Sequence, residues 1–158
     1  MKISLRTMTK EDLPIFYSWQ LDESSRFQAA FMPEEKPESF DEFSKKWEQR
    51  FDDSTINAYV ITLDEKSVGM VGKYEQDELP EITYWIDRAF ADQGITTEAV
   101  RLLIEKIKIR PIFASVAFDN IASKRVLEKN GFVSTDSLMS YASARQNEIT
   151  ECIYKLEK

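Results

Sequence analysis

Residues 2–7 alternate apolar and polar side chains, Ile3 and Leu5 against Ser4 and Arg6, which is the period of a half-buried strand. Thr9 can cap the helix that follows, with Asp12 in its first turn and Leu13, Phe16, Tyr17 and Gln20 along one side. Residues 21–31 fit neither period. Met32, Pro33, Glu34, Glu35, Lys36 and Pro37 read as a loop between two helices. Ser39 and Glu42 then form a capping-box pattern ahead of Phe40, Phe43, Trp47 and Phe51 at helical spacing. An aromatic stripe of that kind is core. Residues 57–63 and 68–74 are strands around the turn 64–67, so they predict a hairpin. Residues 81–87 form a third strand, with Ile82, Tyr84 and Ile86 on one face and Thr83 and Trp85 on the other.

Val100, Leu103, Ile104 and Ile107 mark a strong helix over 97–109, which Pro111 closes. Residues 112–118 are a strand. Asn120 caps a short helix to Lys129, and Asn130-Gly131 signals its C-terminal cap. Strands over about 133–141 and 148–156 finish the chain. The order is strand, two helices, three strands, helix, strand, helix, two strands. The crossover near the middle requires its two strands to be parallel. The prediction is a mixed α/β fold in one domain over 1–158: a mostly antiparallel sheet of about seven strands, a central parallel pair and about four helices.

Composition narrows the chemistry. The 158 residues carry a net charge of −7, which argues against nucleic acid as a partner. The same sign suits a cationic substrate, or solubility alone. Histidine is absent, so histidine-based triads and histidine metal sites are excluded, and no metal is expected. Cys152 is the one cysteine, so no internal disulfide forms and a reducing, cytoplasmic setting is expected. No apolar run suits a bilayer, so no membrane is expected, and residues 1–6 read as a strand rather than a signal peptide.

Two stretches bear on function. The first is Asp92-Gln93-Gly94-Ile95-Thr96-Thr97-Glu98-Ala99, leaving a strand and entering a helix. Its glycine allows close backbone approach, and the free N–H groups of the helix's first turn favour an anion such as phosphate. An ordinary strand–helix turn capped by threonine has the same composition. The second is Asn120 and Ser123, three apart on a first helical turn, able to bond a ligand amide or simply to cap the helix.

Together the two stretches resemble the signature motifs of the GNAT superfamily of N-acetyltransferases. Residues 81–86, the Gln93-Gly94 turn and Thr97-Glu98-Ala99 are similar to its fourth strand, pyrophosphate loop and third helix. Asn120, Ser123, Arg125, Leu127, Glu128, Lys129, Gly131 and Phe132 are similar to its last helix and the turn beyond, in the form found among ribosomal-protein N-terminal acetyltransferases. The resemblance implies acetyl-coenzyme A as cosubstrate, with strands four and five splayed around its pantetheine arm. It places the arm along the backbone at Ile86, the pyrophosphate on Gln93, Gly94, Ile95, Thr96 and Thr97, and Asn120 and Ser123 on the arm's other side. The chain departs from the family loop at Ala91 and Thr96, and has Asp92 where relatives have glycine. Leu127 stands where many members have the tyrosine that protonates the departing thiolate.

The implied reaction is direct attack of an amine on the thioester. A base must remove the amine proton, directly or through water, and with no histidine carboxylates are the candidates. Glu81 is the first candidate and Glu75 the second, against the alternative of exposed strand glutamates; Tyr141 is the candidate acid. The acceptor is expected to be a small cationic amine or a protein N-terminus, lying against the N-terminal half, where Asp22, Glu23, Glu34 and Glu35 could attract it. The competing reading is a coenzyme-binding module that has lost turnover, supported by Ala91, Asp92, Thr96 and Leu127. Edge strands at the C-terminal end make a homodimer possible.

Overall fold

The computed structural model describes residues 1–33 and 36–158. Its strands are β1 (Ile3–Thr7), β2 (Asn57–Leu63), β3 (Lys66–Gln76), β4 (Leu79–Ile86), β5 (Ile112–Ala117), β6 (Val133–Ala142) and β7 (Asn147–Leu156). Its helices are α1 (Leu13–Gln20), α2 (Glu23–Ala29), α3 (Phe40–Phe51), α4 (Ile95–Lys106) and α5 (Ile121–Lys129). All seven strands join one sheet in the order β1-β2-β3-β4-β5-β7-β6. Neighbours are antiparallel except β4 and β5, which α4 connects and which run parallel. The mixed α/β expectation therefore holds.

The sheet carries helices on both faces. On one, Ile82 of β4, Ile112, Ala114 and Val116 of β5, and Tyr154 of β7 pack with Ile95, Val100 and Leu103 of α4 and Val126 and Leu127 of α5. On the other, Val60 and Met70 meet Leu13, Phe16 and Trp19 of α1 and Phe43 and Trp47 of α3. The aromatic stripe of α3 is core, as its spacing predicts. Phe16 touches Phe43 and Trp47 edge-on at 5.6 and 5.3 Å between centroids. Phe40, at the outer edge of the stripe, stays 40% exposed.

Three boundaries differ from the sequence reading, each for a physical reason. Residues 21–31, which fit neither period, contain α2, giving five helices among the described residues rather than about four. Asp22 caps α2 by accepting from Ser25 N–H at 2.9 Å, and Arg26 turns inward, so the usual apolar stripe is missing. The β2–β3 turn is two residues long, and both Asp64 and Glu65 take positive φ (49° and 73°). Asp77 and Glu78 repeat this at the β3–β4 turn (53° and 65°), without the glycine that usually announces such a turn. α4 starts at Ile95 behind Gly94 rather than at Thr97, and ends at Lys106.

Candidate active site

The central ladder of the sheet is incomplete. β4 and β5 pair at one register, Glu81 opposite Phe113, while β3 and β4 pair from Gln76–Leu79 through Gly69–Ile86. Asp87 N–H bonds the Val68 carbonyl at 2.8 Å, so Asp87–Val68 is a hydrogen-bonded pair. By antiparallel alternation Ile86–Gly69 is then a non-bonded pair, and the Ile86 N–H and C=O turn away from β3. They face the side where β5 no longer pairs. Ile86 thus presents backbone polar groups to a gap in the sheet.

At the far end of β4 the chain turns into α4 through Asp92, Gln93 and Gly94. Gly94 caps the helix at φ 77°, and a Cβ built there meets nothing within 4 Å. The space above the cap is open. The first intrahelical bond runs from Glu98 N–H to the Gly94 carbonyl at 3.2 Å, so the N–H groups of Ile95, Thr96 and Thr97 lie ahead of the ladder. Ile95 itself is buried and anchors the turn, whereas Thr96 and Thr97 are half-buried. Asp92 adopts φ 62°, the left-handed conformation that glycine takes without cost and that Asp tolerates. Exposed N–H groups with open space above them suit a pyrophosphate, so the residues present fit the cosubstrate the motifs imply.

On α5 the two motif side chains have partners within the protein. Asn120 caps the helix by accepting from Ser123 N–H at 3.2 Å, and its amide donates to the Gln28 carbonyl of α2 at 3.4 Å. Ser123 Oγ lies 2.6 Å from the Tyr84 hydroxyl, joining α5 to β4. Burial raises the Tyr84 pKa, so the phenol stays protonated. Asn130, the residue after α5, also donates to the Thr97 carbonyl at 3.2 Å and so ties the end of α5 to the first turn of α4. Leu127 is fully buried in the core.

Glu81 lies at the crotch where β4 and β5 part. Its parity is that of Thr83 and Trp85, so it faces the α1 and α3 side of the sheet. Ser115 of β5 donates to its Oε1 at 3.1 Å. Burial raises the Glu81 pKa above its ordinary value; hydrogen bonding from Ser115 and Tyr74 opposes the rise, and the charge of Glu151 adds to it. Glu75, the second candidate base, is an exposed residue at the end of β3 on the opposite face.

Tyr141 is not brought to Glu81. It lies on β6, the edge strand, two strands from β5. Its neighbour Ala142 packs with Ala117 and Ile149 on the Glu81 side, so alternation sends Tyr141 to the other face. Of the acidic residues expected to attract an amine, Asp22 caps α2 and pairs with Arg88 at 3.4 Å, and Glu23 is exposed. Glu34 and Glu35 lie outside the described residues. Among the described residues no group of histidine, cysteine or acidic side chains is arranged to hold a metal ion, and no helix is long and apolar enough to cross a membrane.

Sequence reasoning missed Ser115, Tyr74 and Glu151 around Glu81, and Arg145. Tyr74 was within reach, because the β3–β4 hairpin places it directly opposite Glu81. The others depend on pairings of distant strands, which carry no local signal. Arg145, in the β6–β7 turn, makes a bidentate ion pair with Asp119 at 2.8 Å and donates to the Phe27 carbonyl at 2.9 Å. Its guanidinium also sits 4.3 Å above the Phe27 ring.

A splayed parallel pair, an open helix N-terminus beyond it and a capped helix alongside are the marks of one family. The acetyltransferase (GNAT) domain model matches residues 2–133, and the chain belongs to that family. YjcK, a probable N-acetyltransferase of Bacillus subtilis (strain 168), is 46% identical over 55 residues, or 32% of this chain. That match spans 30% of the length of the curated relative. Among solved structures, the ribosomal-protein alpha-N-protein acetyltransferase RimL in complex with coenzyme A superposes with a TM-score of 0.85 at 18% identity, covering 99% of this chain and 94% of that one. Spermidine N-acetyltransferase from Vibrio cholerae, in complex with coenzyme A and spermine, gives 0.81 at 18% identity, covering 97% and 95%. At these identities the likeness is one of fold.

Proposed function

We propose that the protein transfers an acetyl group from acetyl-coenzyme A to a primary amine by direct attack. The observation that carries this reading is the central ladder that stops at Glu81–Phe113, where the half-buried Glu81 sits at the crotch and the Ile86 backbone farther along β4 faces the gap that opens from it. The pantetheine arm lies in that gap and pairs with Ile86. The pyrophosphate rests on the Gln93–Gly94 turn and the N–H groups of Ile95, Thr96 and Thr97, with Asn120 and Ser123 flanking the arm from α5. An N–H facing the gap polarises the thioester carbonyl as charge builds on it.

The amine arrives protonated at neutral pH and must lose a proton before it can attack. Glu81 takes that proton. The raised pKa of a buried carboxyl makes it a better base than an exposed one. The amine nitrogen then bonds to the acetyl carbon, the carbon–sulfur bond breaks, and the second proton the nitrogen gives up on becoming an amide passes through solvent to the departing thiolate, releasing coenzyme A. Tyr141 lies on β6, two strands from the β4–β5 gap, so Tyr141→Phe is expected to keep kcat; a large loss would restore the phenol as the acid.

The acceptor is a cationic amine, the class that includes a protein N-terminus, as for RimL, and spermidine, as for the Vibrio cholerae enzyme. The single cysteine suits a reducing compartment, the cytoplasm. The outer edge of β6 carries exposed Val133, Leu138 and Met139 and is the place for a second copy to pair.

Calorimetric titration with acetyl-coenzyme A tests the site, with Thr96→Glu as control. Saturable binding lost in the variant supports it, and no binding by the native protein sinks it. Thiol release with N-terminal peptides, polyamines and aminoglycosides then tests turnover. With a responsive amine, Glu81→Gln is expected to lower kcat by about 10²-fold or more.

A further inference from the structure

Glu81 stands in a row of polar side chains that crosses the sheet on one face. Tyr74 of β3 is opposite it, Ser115 of β5 bonds it, and Glu151 of β7 and Ser140 of β6 continue the line. Apolar side chains flank the row, Met70 and Trp85 toward α1 and α3 and Ala117 and Ile149 toward β6. A polar row through an apolar face costs stability unless its members satisfy one another. Here they do so in two groups. Ser115 Oγ donates to Glu81 at 3.1 Å, and Ser140 Oγ donates to Glu151 at 2.8 Å.

We propose that Ser115 and Glu151 are positioning residues for the Glu81 carboxylate, Ser115 by a hydrogen bond across the parting strands and Glu151 by a second negative charge fixed on the same face. The proposal rests on the reading of Glu81 as the base. The Ser115 bond reaches over the strand gap two residues beyond Phe113, the last residue of β5 that pairs with β4. It holds Oε1, and Tyr74 bonds the same carboxylate from β3. Ser140 holds Glu151 in the row by donating to its Oε1 at 2.8 Å.

The two residues act on Glu81 with opposite sign. A hydrogen bond donated to a carboxylate favours the ionised form, while a neighbouring negative charge disfavours it. The groups that act on Glu81 are Ser115 and Tyr74 by hydrogen bonding and Glu151 by charge. Removing Ser115 therefore makes Glu81 harder to ionise, and removing the Glu151 charge makes it easier. A residue that merely supports the fold would not move the two titrations in opposite directions.

The experiment follows the Glu81 carboxyl carbon by NMR across pH in the ligand-free protein, beside the pH profile of kcat/KM with a responsive amine. Ser115→Ala is expected to move both titrations to higher pH and lower kcat near neutrality by about tenfold. Glu151→Gln is expected to move both to lower pH, and Ser115→Thr, which keeps the hydroxyl, to restore the native curve. Thermal melts of each variant confirm folding. Shifts of the same sign, or none in the NMR titration, overturn the proposal. If Glu81→Gln keeps full activity, the base reading falls, and the NMR shifts alone decide whether Ser115 and Glu151 position the carboxylate.

Discussion

Between the ordinary carboxyl pKa of 4.5 and the higher value that burial imposes on Glu81, the native protein holds a proton that the unfolded chain has released. Stability contributed there falls as pH rises through that window. Glu81→Gln removes the slope and is expected to raise the melting temperature near neutrality while lowering activity. Urea denaturation from about pH 4 to about pH 8 checks the sign. Asp12 behaves the opposite way. The Arg6 guanidinium, bonded at 2.7 and 2.9 Å, lowers its pKa below 3.8, so its contribution is present above that value and is lost as pH falls. Asp92 poses a third question at this scale. It takes a conformation that favours glycine and places a carboxylate in the turn where an anion is expected. Asp92→Gly is expected to tighten acetyl-coenzyme A binding several-fold, mostly at low salt, by calorimetry. Unchanged affinity would mean that the carboxylate points away from the anion.

At the scale of elements, β3 and β4 are held together by the absence of a side chain. A Cβ at Gly69 would lie 2.4 Å from the Trp85 carbonyl oxygen and 3.2 Å from the Ile86 Cα. Both contacts are backbone, so the strands themselves would have to move. Gly69→Ala is expected to cost about 1–3 kcal/mol and to weaken coenzyme binding by displacing Ile86, read by denaturation and calorimetry together. Elements were legible where a period of two or 3.6 ran cleanly, as in β4, α3 and α4. Legibility failed at α2, whose inward residue is Arg26, and at the turns Asp64-Glu65 and Asp77-Glu78, whose left-handed residues are acidic rather than glycine. The loop–helix junction at Gly94 was readable because glycine there has a conformational reason, φ 77°.

For the whole molecule, the fold was more readable than the site. The strand–helix–strand unit from β4 to β5 follows from handedness and loop length alone, and it fixes the parallel pair. The candidate site residues Ile86, Gly94 and Ser123 came from contiguous motifs. The environment of Glu81 did not, because Ser115 is 34 residues away and meets it only after the crossover closes. The core shows the same non-local character. Leu103 is fully buried among side chains from strands and helices far apart in the chain. Leu103→Ala is expected to cost about 2–5 kcal/mol in urea unfolding, with the slope of the transition unchanged.

The single register between β4 and β5 also has a mechanical meaning. The sheet is two half-sheets, β1–β4 and β5–β7–β6, stitched along their seam by one rung and otherwise leaning on the helices that cross from one half to the other. Amides along it are expected to exchange with solvent sooner than those of the two flanking ladders, and an extended ligand arm seated in the seam would act as the missing strand, coupling the halves into one cooperative unit and raising protection on both sides at once.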